Sequence, residues 1–235
     1  MVLKTKTQHI QNILIPLTTF CLAMGFLEAI VVVYLRAIAY PLGFTFPLSP
    51  VPDKIIHTEI IREICTLIML IGIAWLAGHH LWTRLAYFIF AFAIWDITYY
   101  LALKLFLNWP PTLHTWDVLF LIPIVWAGPV LAPLICSVTM LLLAFIILKG
   151  TLLSDSFSIK KTELTWLLTG SLIIITSFIW EYLILIINNQ SGADIRNIIY
   201  NHIPENFVWP LFGVGFGLVL FAMALISNRL FIRKS

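Results

Sequence analysis

Gly128-Pro-Val-Leu-Ala-Pro-Leu-Ile-Cys-Ser-Val-Thr-Met-Leu-Leu-Leu-Ala-Phe-Ile-Ile-Leu148 carries no acidic, basic or histidine side chain. Wound as a helix rising about 1.5 Å per residue, it is long enough to cross a bilayer core of about 30 Å. Continuous apolarity over that length leaves helix as the economical way to satisfy the backbone in lipid. The alternating short strands of a membrane β-barrel are absent from the pattern.

Working outward, five more apolar runs share this character, at about 13–35, 58–77, 84–107, 164–187 and 208–231. The composition agrees: 61% of the 235 residues are hydrophobic and 11% charged, a balance that no water-soluble domain of this size needs. Residues 1–235 read as one transmembrane domain, an all-α bundle of six spans, with little chain left for a soluble domain. The basic start (Lys4, Lys6) resembles a signal peptide, but the run behind it is too long, contains Glu28 and has no small-residue cleavage site. A retained anchor helix is expected.

Trp116 to Trp126 is too short to cross. With Thr115 before it and Gly128-Pro129 after it, the segment predicts a short helix, either floated at the interface by Trp109, Trp116 and Trp126 or dipping half-way into the membrane. Cys21, Cys65 and Cys136 each fall in a different apolar run and form no CxxC pair, so they read as packing residues. Gly213 and Gly217 make a GxxxG, which predicts close helix packing there.

Charge sets the expected topology. Six crossings with the N-terminus inside put Lys4, Lys6, Arg84, Lys149, Lys160, Lys161, Arg229, Arg233 and Lys234 in the cytoplasm, against Arg36, Lys54, Arg62, Lys104 and Arg196 outside. Of the acids only Asp155 and Glu163 fall inside. Both termini are then cytoplasmic, and a seventh crossing would spoil the pattern.

Charges within a bilayer are expensive, so intramembrane acids mark candidate functional positions. Glu28, Asp96 and Glu181 each lie past the middle of their spans toward the outer face. Helical spacing adds Tyr99, Tyr100 and Lys104 to Asp96, and Ser177 and Asn188 to Glu181. The second span brings Glu59, Arg62, Glu63 and Thr66, and Asp117 follows the third. Together they predict an outward-facing acidic cavity, with Glu28, Asp96 and Glu181 as its floor and Glu59, Arg62, Glu63 and Asp117 as its mouth. The competing expectation is internal pairing: Glu28 with Arg36 or Arg62, Asp96 with Lys104 or a tyrosine, Glu181 with Asn188 or an indole N–H.

His57 and His114 are the metal-ligand candidates, but their spacings, His57-Thr-Glu59 and His114-Thr-Trp-Asp117, match no metal motif. No nucleophile elbow occurs, and neither Ser137 nor Ser177 has a histidine at helical spacing.

Glu28-Ala-Ile-Val-Val-Val-Tyr-Leu-Arg36, Arg62-Glu63-Ile-Cys-Thr-Leu, Trp95-Asp96-Ile-Thr-Tyr-Tyr100, Trp116-Asp117-Val-Leu-Phe-Leu-Ile-Pro123 and Gly128-Pro-Val-Leu-Ala-Pro133 resemble stretches of a group of uncharacterised bacterial multi-pass membrane proteins. The resemblance implies the bacterial inner membrane and carries no activity. The bilayer is the expected partner, and nucleic acid is not. The leading functional expectation is binding or transport of a cation or small polar solute. Next come a membrane-embedded enzyme on a lipid or isoprenoid substrate, with Asp96 as general acid or base and Tyr99 or Tyr100 orienting it, and a structural subunit of a membrane complex.

Overall fold

The structure, a computed structural model, describes residues 2–154, 156–188 and 194–232. Of the charged residues that set the expected topology, Asp155, Arg233 and Lys234 lie outside the described residues. The elements in order are α1 (Val2–Ala39), α2 (Asp53–Ala77), α3 (Leu81–Leu107), β1 (Trp116–Phe120), β2 (Trp126–Pro129), α4 (Leu131–Leu153), α5 (Lys161–Asn188), α6 (Ile195–Asn201) and α7 (Trp209–Ile232). All the helices except the short α6 are long and apolar enough to cross a membrane, which gives the six spans expected. The protein is a multi-pass helical membrane bundle.

α3 is the hub: α1, α2 and α4 pack against it, while α5 and α7 form a separate close pair joined to the rest through α4 and β2. Leu17, Cys21, Leu70, Tyr87, Ile147 and Ile226 fill the common core. Ile61, Ile68, Leu172 and Phe231 stay exposed on the outside, where lipid is the solvent. Of the cysteines Cys21 is buried, and Cys65 faces outward.

Two close approaches set the geometry. A Cβ on Gly25 would lie 2.7 Å from Thr98 Cβ, so α1 meets α3 backbone to side chain. A Cβ on either Gly170 or Gly215 would lie 2.7 Å from the other's carbonyl oxygen, which brings α5 and α7 into backbone contact. A methyl on Gly213 or Gly217 would have nothing within 4 Å, so the expected GxxxG seam is corrected: the packing glycine is Gly215, on the opposite face.

The expected short helix at 116–126 is also corrected. The segment is an antiparallel hairpin, with Trp116 opposite Pro129, Asp117 opposite Gly128, Val118 opposite Ala127 and, past a bulge, Phe120 opposite Trp126. The reason is local and then tertiary. Pro123 removes an amide donor that a helix would need, and Trp116, Val118 and Phe120 favour extended backbone. Folding back lets the segment pair its own backbone groups, and non-helical backbone at membrane depth is tolerated where protein encloses it. For the same reason Gly128 to Val130, read as the start of the fourth span, precede α4.

The hairpin does not float. Its Leu121 N–H reaches Glu63, about 15 Å into α2 at 1.5 Å per residue, and Phe120 packs on Phe92 and Trp95 in the middle of α3. The bundle therefore has a hairpin end, where α1 and α3 finish and α2 and α4 begin, and an opposite end. There Arg229 clamps α7 to α5 by donating to both oxygens of Glu163, at 2.9 and 2.8 Å.

Candidate functional site

Between the hairpin, α1, α2, α3, α4 and α5 lies an open cavity of about 970 Å³, near the top of the roughly 300–1,000 Å³ range of small-molecule sites. Glu28, Glu59, Arg62, Glu63, Asp96, Tyr99, Tyr100 and Asp117 line it. The sequence thus names most of its polar wall. Glu181 does not join them. It lies on the far side of the hairpin, where it meets His202 Nε2 at 3.0 Å and accepts the Asn206 N–H at 3.0 Å. His57 and His114 lie off the cavity, and no group of metal-ligating side chains suited to a metal ion occurs among the described residues.

On α2, positions 59, 62, 63 and 66 share one inward stripe, as helical spacing requires. Arg62 donates to Glu28 on α1 and, at 2.7 Å, to Glu59 one turn before it. Thr66 Oγ1 adds a bond to Glu28 at 3.3 Å. Glu63, 5% exposed, accepts the Leu121 N–H on both oxygens at 3.0 Å. An amide that the hairpin turn leaves over is thereby satisfied.

Arg36, near the end of α1, donates from Nη2 to Asp117 Oδ1 at 3.0 Å. Its guanidinium sits over the rings of Trp109 and Phe44, at 3.9 and 4.5 Å, so that aromatic faces hold the plane and its edges remain for hydrogen bonding. Burial pushes the Asp117 carboxyl up to about 6, while Arg36 and the nearby hydroxyls of Tyr100 and Tyr99 draw it back. Asp96 takes a 2.7 Å bond from Ser137 Oγ on α4. Lys104, the partner considered for it in the sequence, caps carbonyls of Asn108 and Pro110 instead.

The polar lining residues that sequence reasoning does not place in the site include Arg36 and Ser137, along with Tyr40, Ser49, Thr139, Ser171 and Tyr200. Arg36 enters there as a partner for Glu28, and Ser137 as a hydroxyl without a histidine.

Away from this polar end the wall is aliphatic and aromatic, running along α3 as far as Leu85 and along α5 through Ile175, Leu168 and Leu164. From Tyr100 to Leu85, α3 covers about 22 Å at 1.5 Å per residue, more than one leaflet's share of the bilayer core. α2 and α5 both line the cavity, yet no packed interface joins them among the described residues. Leu168, a lining residue, is 56% exposed. The cavity thus has a charged, hydrogen-bonding end and a long apolar body.

Compared with protein-family models, curated proteins and solved structures, the chain matches none.

Proposed function

We propose that this is a bacterial inner-membrane protein, with the hairpin end outward and both termini in the cytoplasm, that takes a lipid-like amphiphile sideways from the bilayer into its cavity. The observation that carries this is the cavity's division into a polar end and an apolar body; the side where α2 and α5 do not pack on one another, with Leu168 exposed, is read as the lateral gap through which the amphiphile enters. A purely aqueous solute leaves the apolar wall without a partner, and a hydrocarbon leaves the charges without one. The orientation rests on the excess of lysine and arginine at the opposite end.

The cation or polar-solute reading draws on the same carboxylates. Here Glu28 and Glu59 are held by Arg62, Asp117 by Arg36 and Glu63 by the hairpin, and Asp96 takes its bond from a neutral hydroxyl. That arrangement favours a stabilised wall over an ion cage.

The test is photo-crosslinking with a phospholipid bearing a diazirine in its acyl chain, in reconstituted vesicles. Label is expected to concentrate on the cavity faces of α2 and α5 and to fall when Leu168→Trp narrows the gap. Label spread over outer faces such as Leu142 and Phe231, with no excess at the gap, overturns the reading.

One contact favours an enzyme built on the same site. The Ser137–Asp96 hydrogen bond places a carboxylate and a hydroxyl together at membrane depth, with Asp96 positioned as general acid or base toward a bound lipid. Lipid turnover in extracts of expressing cells, lost in Asp96→Asn, is the expected result. An unchanged lipid profile in expressing cells removes the catalytic reading and leaves binding.

A further inference from the structure

Polar atoms buried without a partner cost free energy, and each calls for an explanation. Among the described residues six such atoms occur: the Tyr182 hydroxyl lies off the cavity, whereas Arg36 Nη1, Trp95 Nε1, Trp126 Nε1, the Tyr100 hydroxyl and Asp117 Oδ2 belong to residues lining it. Tyr100 neighbours Asp117, and a small rotation lets those two satisfy each other. What remains is one guanidinium N–H edge and two indole N–H groups, none of which can accept a hydrogen bond.

The carboxylates, in contrast, already receive bonds from Arg62, Thr66, Arg36, Ser137 and the Leu121 amide. Although acids outnumber bases in the wall, its unmet demand is for acceptors. An occupant rich in oxygen meets that demand, and a cationic one does not.

The donors sit at two levels. Arg36 is at the base of the hairpin, beside Asp117, whereas Trp95 and Trp126 gather around Phe120 near its tip. Asp117 and Phe120 are about 10 Å apart along a strand rising roughly 3.3 Å per residue. A charged donor therefore stands at the shallow level and neutral donors at a deeper one, the order in which a glycerolipid presents its phosphate and its ester carbonyls.

Resting on the amphiphile reading above, we infer that the occupant is a glycerophospholipid with a singly charged phosphate head. Its phosphate oxygens meet Arg36 Nη1, its ester carbonyls meet the Trp95 and Trp126 indoles, and its acyl chains follow the apolar wall toward Leu85. A single charge fits because only one guanidinium edge is offered, and Glu59, Glu63 and Asp117 repel a second negative charge. Each donor atom is fully covered by its neighbours, so binding turns the ring or guanidinium edge toward the lumen.

The experiment measures affinity of the full chain in neutral detergent for dioleoyl phosphatidylglycerol, dioleoylglycerol, which lacks the phosphate, and a long-chain polyprenyl phosphate, which lacks the esters. Phosphatidylglycerol is expected to bind best, with dioleoylglycerol about tenfold weaker or more. Trp95→Phe/Trp126→Phe keeps both rings and removes both donors. It is expected to weaken phosphatidylglycerol about threefold or more and to leave polyprenyl phosphate unmoved. Arg36→Gln, checked for monodispersity, is expected to abolish the preference for phosphate.

Dioleoylglycerol binding as well as phosphatidylglycerol overturns the inference, as does an indole double variant that binds phosphatidylglycerol like the parent protein. Polyprenyl phosphate binding tightest, regardless of the indoles, overturns the glycerolipid assignment and leaves the amphiphile reading standing. If none of the three binds, both fail.

Discussion

Glu63 on α2 and Leu121 at the hairpin turn are joined by one backbone N–H that both carboxylate oxygens accept at 3.0 Å. The contact holds the hairpin tip against α2 and forms part of one wall of the cavity.

Removing that acceptor leaves a buried amide unsatisfied, at a cost of about 1–3 kcal/mol. Glu63→Ala is therefore expected to lower thermal stability and to speed amide hydrogen exchange across 118–126. Glu63→Gln, which keeps one oxygen, should do less of both. Exchange in Glu63→Ala identical to the parent across the hairpin means that Glu63 does not latch it.

Arg62 bridges Glu28 and Glu59, and all three side chains are largely shielded from solvent. Arg62→Ala strands two carboxylates in the wall and is expected to destabilise by about 3–5 kcal/mol, the usual consequence of removing one partner of a buried ionic cluster. Combining it with Glu28→Gln and Glu59→Gln should recover much of that loss, because neutral amides need no countercharge. Denaturant unfolding in detergent distinguishes this from simple additivity, in which the triple variant is the least stable.

Gly215 and Gly213 lie two residues apart on α7 and make opposite predictions. A methyl on Gly215 meets the Gly170 carbonyl at 2.7 Å, so Gly215→Ala is expected to separate α5 from α7, at a cost of about 1–3 kcal/mol. Gly213→Ala meets nothing within 4 Å and should be neutral or slightly stabilising, since alanine favours helix. Equal melting temperatures for the two variants would place the seam elsewhere.

The helices are legible in the sequence because unbroken apolarity is a strong and local signal: the six expected spans differ from the observed ones only at their ends. The hairpin is not, because its fate depends on a carboxylate 58 residues away that receives its spare amide. Trp116, Val118 and Phe120 do carry a strand preference, but Thr115 and Gly128 mimic helix stops around them. The acids are visible through the cost of charge in lipid. Depth along a helix says nothing about direction around the bundle, however, so Glu181 looks like a companion of Glu28 and Asp96 although it faces His202. Ser137 is quiet for a similar reason: one hydroxyl in an apolar run gives little signal until Asp96 is seen beside it.

Asp117 lies in the hairpin, outside the six spans, and faces Arg36, Tyr99, Tyr100 and Asp96. Its carboxyl is pushed up to about 6 by burial, above the ordinary 3.8. The sign follows from linkage: a proton held more tightly in the folded state contributes stability that is fully present below about 3.8 and lost as pH rises through about 6. Protonation also releases Arg36 from the carboxylate it pairs with, so an anionic lipid should stabilise the protein more below pH 6 than above it. In Asp117→Asn the guanidinium is free at every pH. That variant, which mimics the protonated acid, is expected to escape the cost of ionising the buried carboxyl at neutral pH, to gain more from phosphatidylglycerol there, and to lose the pH dependence of the gain. Melting curves well below and well above the Asp117 titration, with and without phosphatidylglycerol, read all three. A lipid-induced shift that is the same on both sides of it in the parent protein would mean that Asp117 does not govern access to Arg36.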